Sequence, residues 1–368
     1  MHKYRTAVLG VGVRGRTHIK GLVESGRFEI VALCDHHEDK MRSVAEEFSL
    51  DCKFYYDGET MLKETLPEVF VFLTLPDQRL SLIKLAEKYN VKAVSLEKPM
   101  AESLQEAKEM LDICKRSGIK AVVCHQQKYL SQMQELKKRI DDGEIGEITT
   151  IHVNTQPWLA QLGTHYIDYA LWAAGGHHAK WVIGHAHGTA TLADSHPSPD
   201  HILGEFMLDN GVKCYIDCGY LSTGHLGEEY ADIDNRLCVY GTHGYVWAET
   251  DGYWGAFTKA TNGQLIEGKN PGWYHHQEKQ IQTPYYVSYA EWLDDDSKVH
   301  DCCIDISYHG YEIMEGMCLS AINHTRVDLP ITDFDYEPVF DQMRKKFPDI
   351  GTTLRKLYDG KQPRLEAD

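Results

Sequence analysis

The sequence contains no basic run, and its acidic residues outnumber the basic ones by 55 to 38. The formal charge of -17 argues against nucleic acid and anionic membrane surfaces as partners, since positive charge binds both. No apolar stretch is long enough to span a bilayer. The ten cysteines include no C-x-x-C pair; Cys302 and Cys303 are adjacent, and Cys214 and Cys218 are four positions apart. A disulfide framework is not expected in a chain of this length, so reduced thiols in a cytoplasm are the reading. Met1-His2-Lys3-Tyr4 runs straight into a predicted strand, which leaves no room for a signal peptide. There is no internal repeat and no low-complexity tract. What is present is ordinary for a globular protein: 42% hydrophobic and 25% charged residues over 368 positions, enough for two domains.

The chain is organised around Gly10-Val11-Gly12-Val13-Arg14-Gly15. This G-x-G-x-x-G follows the apolar run Ala7-Val8-Leu9 and leads into a helical stretch from Arg16. Gly10 permits a tight turn, Gly12 lets backbone approach a pyrophosphate, and Gly15 lets helix pack on strand. The phosphates would rest on the helix N-terminus, which favours negative charge. Val13 and Arg14 belong to the same cofactor-binding set. A second apolar run, Glu29–Cys34, ends at Asp35, where a dinucleotide fold hydrogen-bonds the adenosine ribose. Asp35 would repel a 2′-phosphate, so NAD is expected over NADP. His36 and His37 follow directly and leave NADP open.

The first third alternates strand and helix patterns. Strand-like runs are Thr6–Leu9, Glu29–Cys34, Val69–Leu73, Ala93–Leu96 and Lys120–Cys124; amphipathic runs such as Lys40–Glu47, Leu80–Lys88 and Leu104–Lys115 lie between them. Near-continuous apolar strands in βα units predict a parallel, doubly wound sheet. Ligands on such sheets bind beyond the strand C-termini. That draws attention to Leu75 and Pro76 after one strand, and to Glu97-Lys98-Pro99 after the next. After Cys124 come a helix (Leu130–Ile140), a strand (Ile148–Thr155), a short helix (His165–Ala174) and then mostly strands and turns. A long helix, Asp305–His324, and a short strand, Arg326–Leu329, close this part. The expected fold class is an α/β Rossmann domain, residues 1–124, then an α+β domain with a large, mostly antiparallel sheet, residues 125–330. A tail, residues 331–368, carries a helix near Pro338–Phe347.

Three segments carry a resemblance to a known family. Val94-Ser95-Leu96-Glu97-Lys98-Pro99-Met100-Ala101 resembles the E-K-P signature of the GFO/IDH/MocA sugar oxidoreductases. Gly163-Thr164-His165-Tyr166-Ile167-Asp168 is similar to their H-x-x-D catalytic stretch. Val239-Tyr240-Gly241-Thr242-His243-Gly244 is similar to the G-T-x-G turn of their open sheet. The resemblance spans residues 4 to 330 or so. It implies a Rossmann domain plus an open-faced sheet domain, pairing through that sheet as homodimers or homotetramers, and NAD(P) chemistry on sugars or polyols. The chain departs from the family at two places. Gln161 stands where many members have the first Asp of D-x-x-x-H-x-x-D. Leu80 stands where the stretch T-P-(N/D)-x-x-H usually ends in histidine.

The resemblance implies these roles. Lys98 binds the sugar oxygen and steadies a developing alkoxide, with a pKa that desolvation lowers towards proton transfer. His165 is the candidate general base, since an unperturbed imidazole titrates near neutrality. Asp168, three residues on, shares its helical face and would orient it or hold a substrate hydroxyl. Glu97 would hold Lys98 or the cofactor amide. Tyr166, Gln161 and Trp158 are candidate substrate-binding residues; an aromatic rim including Trp273 and Tyr274 would favour glycosides, although sheet packing explains most aromatics equally well. His185-Ala186-His187 puts two imidazoles on one strand face, with His152 on a strand that could neighbour it. Among 20 histidines an H-x-H arises by accident, so no metal is assigned. His275-His276 reads as a polar loop.

Three functions fit. The first is an NAD-dependent dehydrogenase of a sugar or glycoside hydroxyl, with C3 as one position. The second is a glycoside hydrolase or epimerase using tightly bound NAD only transiently, which would release aglycone without net NADH. The third is a non-catalytic NAD and sugar sensor, which would show no turnover.

Overall fold

A computed structural model describes residues 2–193, 197–222, 234–272 and 280–348. The chain opens with β1 (Tyr4–Leu9), α1 (Val13–Glu24), β2 (Phe28–Cys34), α2 (Glu38–Glu47), β3 (Lys53–Tyr55), α3 (Gly58–Thr65), β4 (Val69–Phe72), α4 (Arg79–Lys88), β5 (Ala93–Leu96), α5 (Leu104–Ser117) and β6 (Lys120–Val123). Next come α6 (Ser131–Asp141), β7 (Ile148–Thr155), a π-helical turn (Leu159–Gly163), α7 (Thr164–Ala173), β8 (Ala179–His187), β9 (His201–Leu208) and β10 (Lys213–Gly219). The remainder is β11 (Asn235–Gly241), β12 (Gly244–Glu249), β13 (Tyr253–Thr258), β14 (Leu265–Lys269), α8 (Gln282–Asp294), α9 (Ile304–Asn323), β15 (Val327–Asp328) and α10 (Val339–Lys346). Among the described residues, no helix is long and apolar enough to cross a membrane. All ten cysteines are free thiols.

Two compact units divide the chain: residues 1–129 with 276–308, and residues 130–275 with 309–368. In the first, six strands pair in parallel in the order β3-β2-β1-β4-β5-β6. β4 (VFVF) and β5 (AVSL) are buried at every residue, as strands covered on both faces must be. Sequence order reverses between β1 and β4, so the switch point lies beyond the C-termini of those strands. The unit also takes in α8, from the far end of the chain. A continuous cut at 124 and 330 assigns that helix to the second domain; the structure returns it to the first. The reason is burial: Tyr285, Tyr286 and Tyr289 join Ile19, Leu22 and Phe28 in one core.

The second unit is built on nine strands in the order β14-β13-β12-β11-β7-β10-β9-β8-β15. Neighbours are antiparallel except β10 with β7, which run parallel. Alternation sets the faces: in β9, Ile202, Gly204, Phe206 and Leu208 are buried and their neighbours are not. The opposite face carries a line of touching rings, Tyr215–His152–Tyr240–Tyr245–Phe257, with centroids 5.1 to 5.6 Å apart. His152 does not neighbour the His185/His187 pair, because β10 and β9 stand between β7 and β8. The helix expected near Pro338–Phe347 is α10. Trp273, Tyr274, His275 and His276 lie outside the described residues, as does the tail beyond 348.

Candidate active site

The glycine loop forms the turn between β1 and α1. Gly10 has φ +90°, and a Cβ there would lie 2.9 Å from the Leu73 carbonyl oxygen. A Cβ on Gly15 would lie 2.4 Å from the Gly10 carbonyl oxygen, so the helix can start this close only without one. Above Gly12 nothing lies within 4 Å, which leaves its backbone open to a ligand. The first turn of α1 carries no acid. Asp35 follows β2 and accepts a hydrogen bond from the Val11 N–H (3.0 Å) and from the His37 N–H (3.1 Å). Burial pushes its carboxyl up, but the bonds from Val11 and His37 outweigh it and the net shift is downward. An ionised carboxylate has lone pairs left for ribose hydroxyls. Val13 and Leu75 are 71% and 70% exposed, bare apolar side chains at the loop and just after β4. These features fit a dinucleotide: open backbone for phosphates, an acid for ribose, and apolar cover.

Glu97 and Lys98 follow β5 on the same strand-end edge. Arg14, on α1, donates from Nε to Glu97 Oε1 (2.8 Å), with a second guanidinium nitrogen 2.6 Å from that oxygen. His18 Nε2 lies 3.0 Å from it. Burial raises the Glu97 carboxyl, but Arg14, then His18, then Lys98 overcome this and hold it well below the usual carboxylate range. Lys98 is partly exposed, yet its surroundings desolvate the ammonium. That burial lowers its pKa to about 8, with Glu97 opposing and Arg14 and Arg79 assisting. Arg79 is 2% exposed and donates to the carbonyls of Thr74 (2.6 Å) and Pro99. It therefore ties the loop after β4 to the loop after β5.

Among the described residues, one group of His, Cys, Asp and Glu has metal-ligand spacing: His18, Glu97 and Cys124. His185 and His187 are not in it. Metal chemistry does not suit the group. Arg14 already occupies the carboxylate and reaches to 3.9 Å from Cys124 Sγ, and burial pushes that thiol up to about 12, far from the thiolate a metal needs.

In the second unit, α7 presents His165, Tyr166 and Asp168, exposed by only 2%, 0% and 0%. His165 is no solvent-facing helix start; its Nδ1 meets the Tyr169 hydroxyl at 2.8 Å. Asp168 packs where α7 meets α9 at Gly310. Tyr166 places its hydroxyl 2.9 Å from Thr250 Oγ1, so that hydroxyl is engaged in the interior and not presented to a ligand. Trp158 is buried against Tyr220, with centroids 5.6 Å apart. Gln161 lies in the π-helical turn and is half-buried. Sequence reasoning missed His18, Arg79 and Tyr286. Arg14 and His18 are spaced i, i+4, which puts them on one helix face and was a usable signal. Tyr286 had none, being 268 positions from its partner.

Residues 4–125 match the model of an oxidoreductase family with an NAD-binding Rossmann fold, and residues 133–247 match the GFO/IDH/MocA C-terminal domain. The chain belongs to the GFO/IDH/MocA family. Its first unit is thus an NAD-binding Rossmann domain. The chain is similar to D-apiose dehydrogenase of Paraburkholderia graminis, 28% identical over 60% of this chain and 61% of that one. It is also similar to 2,7-anhydro-N-acetylneuraminate hydratase of Mediterraneibacter gnavus, 30% identical over 63% and 56% of the two chains. The chain therefore spans about three fifths of the length of these two relatives. In fold it is similar to an oxidoreductase from Agrobacterium radiobacter, solved with NAD+, L-tartaric acid and magnesium. That likeness has TM-score 0.75 and 17% identity, covering 89% of this chain and 98% of the other.

Proposed function

We propose that this chain is an NAD-dependent oxidoreductase acting on a secondary hydroxyl of a sugar or glycoside, with C3 the first position to test. The observation that carries this reading is Lys98: a desolvated lysine with a pKa near 8, on the strand-end edge that also bears the glycine loop. An amine titrating there exchanges a proton with substrate near neutral pH. NAD, when bound, supplies the hydride acceptor. In oxidation, neutral Lys98 takes the hydroxyl proton while the carbon gives up its hydride; in reduction, the ammonium returns the proton to the carbonyl oxygen. His165 is proposed as the second proton-handling residue, oriented by Asp168, with Gln161 and Trp158 as substrate-binding residues. The named activity of the apiose relative supports a sugar substrate. The ring-lined open face of the nine-stranded sheet is proposed to pair with a second copy of the chain.

The test begins by denaturing the purified protein and identifying released dinucleotide. Sugars and glucosides are then screened for NADH formation, comparing the parent with Lys98→Met. Loss of at least ~10³-fold in kcat is expected if a proton-transfer group is removed; unchanged turnover sinks the assignment. A second reading draws on the hydratase relative, whose named reaction has no net oxidation. There the chain would oxidise transiently, as a hydrolase or epimerase, and release product without accumulating NADH. A parent protein with no turnover at all would favour an NAD and sugar sensor.

A further inference from the structure

His18 is fully buried. It stands one turn beyond Arg14 on α1. Its Nε2 lies 3.0 Å from Glu97 Oε1, and its Nδ1 lies 2.6 Å from the Tyr286 hydroxyl on α8. The protons in this chain can be assigned by chemistry. Glu97 is ionised and can only accept, so His18 donates from Nε2. A neutral imidazole then has a bare Nδ1, which accepts from Tyr286. Burial keeps His18 neutral and keeps the proton on Tyr286. A second donor on α8, Gln282 Nε2, also faces Nδ1, at 3.5 Å, which agrees with a bare nitrogen there. Ser95 Oγ, on β5, sits 3.4 Å from the Tyr286 hydroxyl. Thus Glu97 selects the tautomer that donates from Nε2, and α8 supplies the donors that satisfy the bare Nδ1.

We infer that His18 is a positioning residue for Lys98: donating from Nε2, with Tyr286 satisfying its bare Nδ1, it pins the Glu97 carboxylate beside the lysine. This rests on the role proposed for Lys98. The charged and titratable groups acting on that lysine are Arg14 from α1, Arg79 from α4, Glu97 on its own loop and Cys124 after β6; His18 from α1 acts on Glu97. Arg79 is anchored on the Thr74 and Pro99 carbonyls, away from His18. Arg14 and His18 share Glu97 Oε1, so the group beside Lys98 that loses a donor with His18 is Glu97. When the Nε2 donor is lost, the carboxylate is less satisfied and turns more of its charge on the ammonium, so Lys98 holds its proton to higher pH.

The experiment reads Lys98 directly and needs no turnover. Protein labelled with carbon-13 at the lysine ε position is titrated by NMR, the Lys98 signal being the one lost in Lys98→Met. His18→Leu is expected to raise the Lys98 midpoint by roughly one pH unit, within the range an opposite charge produces. Tyr286→Phe is expected to raise it less. His18→Gln, whose amide reaches the Nε2 position, is expected to restore the parent value; His18→Asn, whose amide reaches only the Nδ1 position, is not. Unchanged midpoints in folded His18→Leu overturn the inference. If that variant does not fold, equal midpoints in the Gln and Asn variants overturn it, and separated midpoints support it. Should Lys98→Met leave turnover intact, the functional reading fails while the titration still decides this point.

Discussion

At the scale of single residues, Lys98 and Asp35 carry the measurable consequences. The pKa of Lys98 is lowered to about 8, so the neutral amine is the minor form below that pH and the major form above it. Oxidation consumes the neutral amine as proton acceptor. Its kcat/KM is therefore expected to rise about tenfold per pH unit below the midpoint and to level off above it. Reduction consumes the ammonium and should show the mirror image, flat below pH 8 and falling above. Initial rates from pH 6 to 10 in both directions check this; parallel profiles for the two directions would contradict it. Asp35 governs a different quantity. Its carboxylate holds the Val11 N–H, so Asp35→Ser loosens the loop for any dinucleotide. Only NAD also loses a charge-assisted bond from its ribose, worth about 1.5–3 kcal/mol, while NADP is relieved of repulsion. The ratio of KM values for NAD and NADP is thus the informative reading. It is expected to move at least ~10-fold towards NADP.

At the scale of elements, the strands and helices with a clean period were legible and those without one were not. β5, β7 and β9 follow from their patterns because burial on both faces or on one face writes itself into the sequence. β3 has only three residues, too few to show alternation. α8 packs Tyr285, Tyr286 and Tyr289 with Ala290 into the first unit's core. A helix this rich in aromatics reads locally as strand-forming sequence, and nothing in its neighbourhood announces a partner on α1. That partner is Gly21. A Cβ there would lie 2.7 Å from the Gln282 carbonyl oxygen, so the two helices meet backbone to backbone. Gly21→Ala sets two effects against each other. Helix propensity favours alanine by about 1 kcal/mol. Overpacking against backbone that cannot swing away costs about 1–3 kcal/mol. We expect the second to win, with the urea midpoint lowered and the slope unchanged; a stabilised variant would show that α8 yields easily. The same displacement should carry Tyr286 away from His18, so this packing contact and the Glu97 site are linked through one helix.

At the scale of the whole molecule, family, fold class and cofactor domain were readable because the glycine loop and the E-K-P segment are local. The route of the chain was not, since residues 276–308 return to the first unit by contacts that no local pattern encodes. The outer face of the nine-stranded sheet poses the remaining question at this scale. Tyr215, His152, Tyr240, Tyr245 and Phe257 line up ring to ring across five strands, with Phe257 38% exposed and Leu203 and Leu265 48% and 50% exposed. Scattered apolar residues on a surface need no explanation, but contiguous ones favour a covered state. A chain with formal charge -17 repels its own copies at long range, so association must come from short-range apolar contact. Salt should then strengthen pairing by screening that repulsion, the reverse of what ion-pair association would show. The double substitution Tyr245→Glu with Phe257→Glu places two carboxylates at one end of the stripe while leaving the buried face untouched. Analytical ultracentrifugation is expected to show the parent as a dimer or tetramer, tighter at high salt, and the double variant as a monomer with the same thermal unfolding. A parent that sediments as a monomer at all concentrations and salts would remove the pairing proposal.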